Sequence, residues 1–166
     1  IIGSEGFIGS HLVNYFLSSK NNVITADIID KSKTSSYYLL DSRSPDFSIL
    51  FNENKIDICI NCSGAASVPQ SYNNTLFDFN LNTGNVINIL ETIKLIQPNC
   101  KFINLSSAAV YGNPKNIPIS EQEDIKPISP YGYHKYLAEK VLEEYRTFWN
   151  IQTYSLRIFS AYGNGL

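Results

Sequence analysis

The chain has 166 residues, 43% of them hydrophobic and 17% charged, with a formal net charge of -2. That length suits one domain with a sizeable core, and that charge leaves no broad basic surface for nucleic acid or anionic membrane. No apolar run approaches the roughly 20 residues of a membrane span, and Cys59, Cys62 and Cys100 do not make a disulfide framework, so a reducing cytoplasm is the expected setting.

Ile1-Ile2 reads as the end of a first strand. Buried strands normally run about 5–6 residues and the sequence contains no methionine, so the expectation is a chain clipped inside that strand. Phe7 to Ser19 follows with apolar residues at 8, 12, 13, 16 and 17, a helical face. Val23 to Asp27 and Tyr37 to Leu40 read as short strands, and Asp46 to Asn54 as a short helix. Ile56 to Cys62 is a near-continuous apolar run, as in a strand buried on both faces.

Leu76 to Gln97 predicts one long helix closed by Pro98. Lys101 to Ser106 is a strand. Gly112 to Ser129, with Pro114, Pro118 and Pro127, is a long loop, a kind that is often functional. Ser129-Pro130 then opens a helix to about Trp149 as N-cap and first-turn proline. Thr153 to Ile158 is the last strand. The alternation predicts an α/β fold with a parallel, doubly wound sheet and helices on both faces, filling residues 1–166.

Two groups of residues carry chemistry. Gly3-Ser4-Glu5-Gly6-Phe7-Ile8-Gly9 lies between the first strand and the first helix. Small residues there allow a tight turn, close approach of a pyrophosphate to the backbone, and close packing of helix on strand. The helix start adds free N–H groups and a positive dipole end. Asp27 ends the next strand, where a carboxylate can accept from both ribose hydroxyls of an adenosine. Its charge favours NAD over a 2′-phosphorylated NADP, with Lys31 and Lys33 nearby in sequence weighing the other way.

The second group is Ser107, Tyr131 and Lys135. Tyr131 and Lys135 are four apart at a helix start and share a face. Ser107 follows a strand at the carboxyl edge of the sheet, where such folds bind ligands. A phenol ionises near pH 10, so a phenolate at pH 7 needs about 4 kcal/mol. A lysine charge ~5 Å away at an effective dielectric of ~20 supplies about 3 kcal/mol, and the positive ring of an oxidised nicotinamide can add the rest. Tyr131 can then take a proton from a substrate hydroxyl while hydride leaves the same carbon, and Ser107 can steer that oxygen. Each residue alone is more often a half-buried pair member or a turn former; the three together behind a glycine turn are the signal.

Six stretches carry a family resemblance over essentially the whole chain: Gly3 to Leu12, Asp57 to Gly64, Asp78 to Asn82, Ser106 to Gly112, Ser129 to Lys135 and Leu156 to Gly163. In that order they resemble the extended short-chain dehydrogenase/reductases, within the NAD-dependent epimerase/dehydratase family that acts on nucleotide sugars. The resemblance implies a Rossmann-like NAD-binding domain. It implies Ser107, Tyr131 and Lys135 as catalytic residues, with Lys135 also holding the nicotinamide ribose. It implies cofactor contacts from Gly3, Gly6, Phe7, Ile8, Gly9, Asp27, Ser63, Gly64, Ala65, Asn82, Tyr131 and Lys135, and no metal. It further implies a homodimer through the 76–97 and 130–149 helices, a C-terminal sugar-binding domain beyond residue 166, and a place in carbohydrate metabolism such as polysaccharide biosynthesis.

Departures from the family pattern narrow the reaction. Dehydrating relatives carry Asp-Glu directly after the catalytic hydroxyl, and decarboxylating ones an acid there. This chain has Ala108 and Ala109, which exchange no protons. The pattern therefore resembles the nucleotide-sugar 4-epimerases, which oxidise C4, rotate the keto-sugar and return hydride to the other face. Ser160 stands where many members have an asparagine on the nucleotide diphosphate. A keto-sugar reductase or dehydratase of the same family, and an NAD-binding sensor without turnover, stay as alternatives.

Smaller features are read as structural. Cys59 and Cys62 lie three apart in a strand and are expected in the core. His11 is structural, and His134, between Tyr131 and Lys135, is expected to point away from the site. Asn61, Asn73 and Asn104 open glycosylation-like triplets, two of them in predicted strands. Val86, Leu90, Ile93, Leu137, Val141 and Leu142 form apolar stripes, most of them core.

Overall fold

The fold was obtained as a computed structural model that describes residues 1–30 and 36–165. Ile2 bridges Ala26 on one side and Asn61 on the other, both in parallel. On the first side, β1 (Thr25–Asp27) pairs in parallel with β2 (Tyr37–Leu39). On the second, β3 (Ile58–Asn61), β4 (Lys101–Ser107) and β5 (Thr153–Ile158) pair in that order, also in parallel. The sheet thus reads β2, β1, Ile2, β3, β4, β5, and the direction of winding reverses at Ile2. Ligand crevices of such sheets open at the carboxyl ends of the strands beside that reversal.

Six α-helices connect or follow the strands: α1 (Phe7–Ser18), α2 (Ser48–Glu53), α3 (Val68–Asn73), α4 (Thr75–Phe79), α5 (Asn85–Ile96) and α6 (Pro130–Trp149). The core lies between sheet and helices. Phe102 of β4, Phe51 of α2, Ile89, Leu90 and Ile93 of α5, and Leu142 of α6 are almost fully buried there, each contributing roughly 1.5–3 kcal/mol of transfer free energy. Ser129 caps α6 by accepting from the Gly132 N–H at 3.1 Å, and Pro130 fills the first turn. Asn150 ends the helix in the left-handed conformation.

The element order matches the sequence expectation, with four differences. The helix expected over 76–97 is broken into α4, a π turn at Asn80–Gly84 and α5. A short helix, α3, was not foreseen, although Ser67 caps it on the Gln70 N–H and Pro69 sits in its first turn. β4 runs one residue further than expected, so Ser107 ends the strand, and its hydroxyl caps a 3₁₀ turn over Ala108–Tyr111. β1 and β3 are shorter than expected, and Val23, Ile24 and Ile56 ahead of them line a cleft of about 330 Å³ beside Ile1. Among the apolar stripes, Val86, Leu90, Ile93 and Leu142 are core, whereas Leu137 is 40% exposed. Among the described residues no helix is long and apolar enough to cross a membrane.

Candidate active site

The turn into α1 shows three glycines doing different work. Gly3 has φ +77°, and a Cβ there would lie 2.6 Å from the Ser63 backbone nitrogen. A Cβ on Gly9 would lie 2.0 Å from the Gly3 carbonyl oxygen, which fixes how closely α1 packs on the turn. Gly6 is different. Its backbone is extended, and a Cβ would meet only the Gly3 carbonyl at 3.4 Å. Protein packing alone does not demand glycine at position 6, so the bare backbone there suits close approach by a ligand. No side chain caps α1 and no acidic residue sits in its first turn, which leaves the N–H groups around Phe7, Ile8 and Gly9 pointing outward as an anion site.

A cleft of about 220 Å³ runs from this turn across the sheet edge. Gly3, Gly6, Asp27, Ser63 and Gly64 line it. Asp27 is buried at the end of β1, with one carboxylate oxygen accepting from the Glu5 N–H at 2.8 Å and the other from the Ile28 N–H at 2.7 Å. Each oxygen keeps a further lone pair for a ligand hydroxyl. Ser63 donates its hydroxyl and its N–H to Asn61 Oδ1, so it lines the cleft as part of a fixed turn, and half-buried Ala65 follows. Lys31 and Lys33 lie outside the described residues. The larger apolar cleft at the opposite end of the strands is lined by none of the residues with site chemistry.

Ser107, Tyr131 and Lys135 come together past the Gly64 end of this cleft. Lys135 Nζ lies 5.9 Å from the Tyr131 ring centroid, and the Ser107 hydroxyl is near enough to pull the Tyr131 phenol down. Tyr131 is held from behind, its N–H donating to Ser71 Oγ of α3 at 3.1 Å. Lys135 Nζ donates to the Leu105 carbonyl at 3.0 Å. A Cβ on Gly64, whose φ is +133°, would lie 2.6 Å from Asn82 Oδ1 and 3.4 Å from Lys135 Nζ. Glycine therefore lets the end of β3 reach both side chains. Asn82 sits in the π turn, 2% exposed, and neither its oxygen nor its nitrogen has a partner among the described residues.

Burial sets the electrostatics of the pair. It lowers the Lys135 ammonium to about 8, with Asp78 and Cys62 opposing. It pushes the Tyr131 phenol above its usual value of 10; the Ser107 hydroxyl lowers it and Asp78 raises it. Desolvation of the phenolate outweighs the hydroxyl that lowers it.

One expectation changes. Cys59 is core, but Cys62, at the end of β3, is only partly buried and lines the cleft. His134 points to Asp78 rather than to the Ser107 and Tyr131 hydroxyls, its Nδ1 meeting Asp78 Oδ2 at 2.5 Å in a buried pair. His11 is exposed and bonds the Phe7 carbonyl through Nδ1. Sequence reasoning missed Asp41 and Ser42, which the loop after β2 brings to the far end of the cleft with Leu40 and Phe47. It also missed Ser71 and Asp78, whose roles depend on α3 and α4 packing against α6. Asp41-Ser42 follows an apolar strand end as Asp27 does, a signal that was available.

A family model described as the NAD dependent epimerase/dehydratase family matches residues 1–165. The UDP-glucose 4-epimerase of Lacticaseibacillus casei is 31% identical over 98% of this chain and 51% of its own length. The UDP-glucose 4-epimerase of Brucella ovis, solved in complex with NAD, superposes with a TM-score of 0.88 at 26% identity, covering 98% of this chain and 51% of that one. The UDP-N-acetylglucosamine 4-epimerase of Methanobrevibacter ruminantium M1, in complex with UDP-N-acetylmuramic acid, gives 0.86 at 26% identity over 98% and 54%. The chain spans about half the length of these relatives. With the uncapped glycine turn and the carboxylate at the end of β1 on one cleft and Lys135 reaching its Gly64 end, the match over nearly every residue places this chain in the NAD-dependent epimerase/dehydratase family.

Proposed function

We propose that this chain is the cofactor-binding half of a nucleotide-sugar 4-epimerase. The observation that carries the reading is the meeting of Ser107, Tyr131 and Lys135 at the end of a cleft built for a dinucleotide, with nothing acidic at positions 108 and 109. NAD fits the residues present: Gly3, Gly6, Phe7, Ile8 and Gly9 would take the pyrophosphate, and Asp27 the adenosine ribose. Ser63, Gly64, Ala65, Asn82, Tyr131 and Lys135 would take the nicotinamide half. The unpartnered buried amide of Asn82 supports that placement.

In this reading Tyr131 accepts the C4 hydroxyl proton of the sugar, and Ser107 donates to the same oxygen and fixes its direction. Bound NAD supplies hydride acceptance and return, and its positive ring offsets the burial that raises the Tyr131 phenol. The ammonium of Lys135 stabilises the developing phenolate. After the 4-keto-sugar turns over, Tyr131 returns its proton to the oxygen as C4 is reduced from the opposite face, so no net redox change remains. Elimination of water across C5–C6 would need proton-exchanging side chains, which Ala108 and Ala109 are not.

The relatives, UDP-glucose and UDP-N-acetylglucosamine 4-epimerases, favour a UDP-sugar as substrate. A homodimer through the 76–97 and 130–149 helices and a cytoplasmic setting complete the proposal; Leu76, Phe77, Tyr133 and Leu137 give those helices exposed apolar surface. This chain spans about half of its relatives and is expected to turn over poorly alone, so the test is to incubate the full-length enzyme with NAD and a panel of UDP-, GDP-, CDP- and dTDP-hexoses and resolve the products by NMR. A C4-inverted sugar without net NADH is expected. A 4-keto-6-deoxy product, or net consumption of cofactor, would overturn the epimerase reading.

A further inference from the structure

The reaction described above gives no role to α3, yet α3 is bonded twice to the head of α6. The first N–H groups of a helix have no partner within it, and at the first three positions of α6 each is accounted for. Pro130 has none, and the Gly132 N–H donates to Ser129 Oγ at 3.1 Å. That leaves the Tyr131 N–H, which donates at 3.1 Å to Ser71 Oγ, 60 residues away in the chain. Ser71 is fully buried. Its own proton goes to the Val68 carbonyl at 2.7 Å, so the hydroxyl is fixed and keeps a lone pair on Tyr131. Beside it, Tyr72 Oη donates to the Ile128 carbonyl at 2.9 Å, one residue before the Ser129 cap. The opposite side of the head is as tight. A Cβ on Gly132 would lie 2.7 Å from the Ala109 carbonyl oxygen, and the Ala109 N–H donates to Ser107 Oγ at 3.1 Å. Tyr131 therefore stands on a helix end gripped between α3 and the turn that Ser107 caps. A cap from the helix's own flank satisfies an N–H whichever way the helix points. A cap from another element works in one placement only, so it fixes where the helix begins.

We propose that Ser71 is a positioning residue: by capping the Tyr131 N–H from α3 it fixes the backbone that carries the phenol, and so aims that phenol at the sugar C4 hydroxyl. This role rests on the reading of Tyr131 as the proton-transfer group. Proton transfer needs heavy atoms within about 2.6–3.2 Å of each other, and a displacement of about 1 Å at a reacting group can cost about 100-fold in rate. A tyrosine side chain is long, so a small tilt of its backbone is magnified at the hydroxyl. Without Ser71 Oγ the buried Tyr131 N–H loses its acceptor, and a tilt of the helix start toward a new one becomes favourable. The bond acts on the proton-transfer group and spares its neighbours. Lys135 lies one turn further along α6 with its own bond to the Leu105 carbonyl, and the glycine turn and Asp27 belong to other elements. The loss therefore falls on kcat and not on cofactor affinity. Tyr72 is the lesser tie, since it holds only the residue that leads into the cap, from an exposed ring.

The experiment compares the full-length enzyme, with NAD, as wild type, Ser71→Ala and Ser71→Cys. The alanine removes the acceptor, and the cysteine keeps the size of the side chain with a weak one. In each variant that folds, kcat for epimerisation is expected to fall about 10–100-fold, with KM for the nucleotide sugar and Kd for NAD within about threefold of wild type. NMR with labelled tyrosine should show the Tyr131 ring signals displaced and the Tyr131 amide exchanging about tenfold faster or more. An unchanged kcat in a folded variant overturns the proposal, as does a loss of NAD affinity that matches the fall in kcat. Unmoved Tyr131 ring signals also overturn it, whatever the rate does. Failure of both variants to fold, read by circular dichroism, would assign Ser71 to the core alone and overturn it too. The ring signals need no turnover, so a displaced Tyr131 in an enzyme that epimerises nothing would sustain the positioning role while refuting the reaction.

Discussion

The glycine turn and the head of α6 stand at the two sides of Gly64 but are built on opposite terms. The turn works through backbone and through missing side chains: Gly3 and Gly9 satisfy packing, and Gly6 leaves a surface bare. The head of α6 works through side chains held at a cost, since Lys135 and Tyr131 are both buried and both shifted away from their charged forms. A site made of backbone can be stable and ready at once. A site made of buried ionisable groups trades stability for chemistry.

Substitutions on the two sides should therefore separate stability from function in opposite ways. The largest effect is expected from Tyr131→Phe, which should cost turnover about 10²–10⁴-fold and leave NAD affinity nearly unchanged by calorimetry. Substantial residual turnover would end the assignment of Tyr131 as the proton-transfer group. Next comes Lys135→Met. The fall from 10.5 to about 8 corresponds to about 3 kcal/mol that the folded chain loses to the buried charge, less the bond to Leu105. Lys135→Met should raise the melting temperature at pH 7 while removing activity.

The sign of the pH dependence follows from the same shift. Between about pH 8 and 10.5 the unfolded chain holds the lysine proton and the folded chain does not, so the Lys135 contribution makes stability rise with pH in that window. Urea titrations at pH 7.5 and 10 should show this contribution in the wild type and lack it in Lys135→Met. An equal difference in both chains would place the shift elsewhere.

On the turn, Gly9→Ala should destabilise the fold by more than about 1 kcal/mol, because its methyl has only the Gly3 backbone to displace. Gly6→Ala is the smaller change to the fold, about 1 kcal/mol or less, yet it should weaken NAD binding about tenfold or more. If Gly6→Ala bound NAD as well as wild type, the bare surface at position 6 would not be the pyrophosphate contact.

How much of this was legible in the sequence follows the same division. The glycines, Asp27 and the Tyr131–Lys135 spacing are local patterns, and local geometry reads out of sequence directly. Ser107 was placed at the right edge because the strand before it is apolar and β-rich. Asp78 and Ser71 were not legible, because each acts through a contact more than fifty residues away in the chain. The burial of Tyr131 was not legible for a related reason: a pairwise distance gives the attraction of a lysine but not the desolvation of the phenolate, which depends on everything packed around it. His134 looked idle because its partner lies on another helix.

The π turn at Asn80–Gly84 has a consequence for the register of the whole segment. It accommodates one residue more than a regular α-helical turn, so α4 and α5 are out of phase by about 100°. Deleting a single residue there would restore an unbroken helix, keep the buried stripe of α5, and swing everything upstream a quarter-turn around the axis. Asp78 would move to the place of Phe79, away from His134, and Phe77 would take the place of Asp78. The segment behaves as a gear with one deliberate extra tooth, and its timing, more than its composition, aims those side chains.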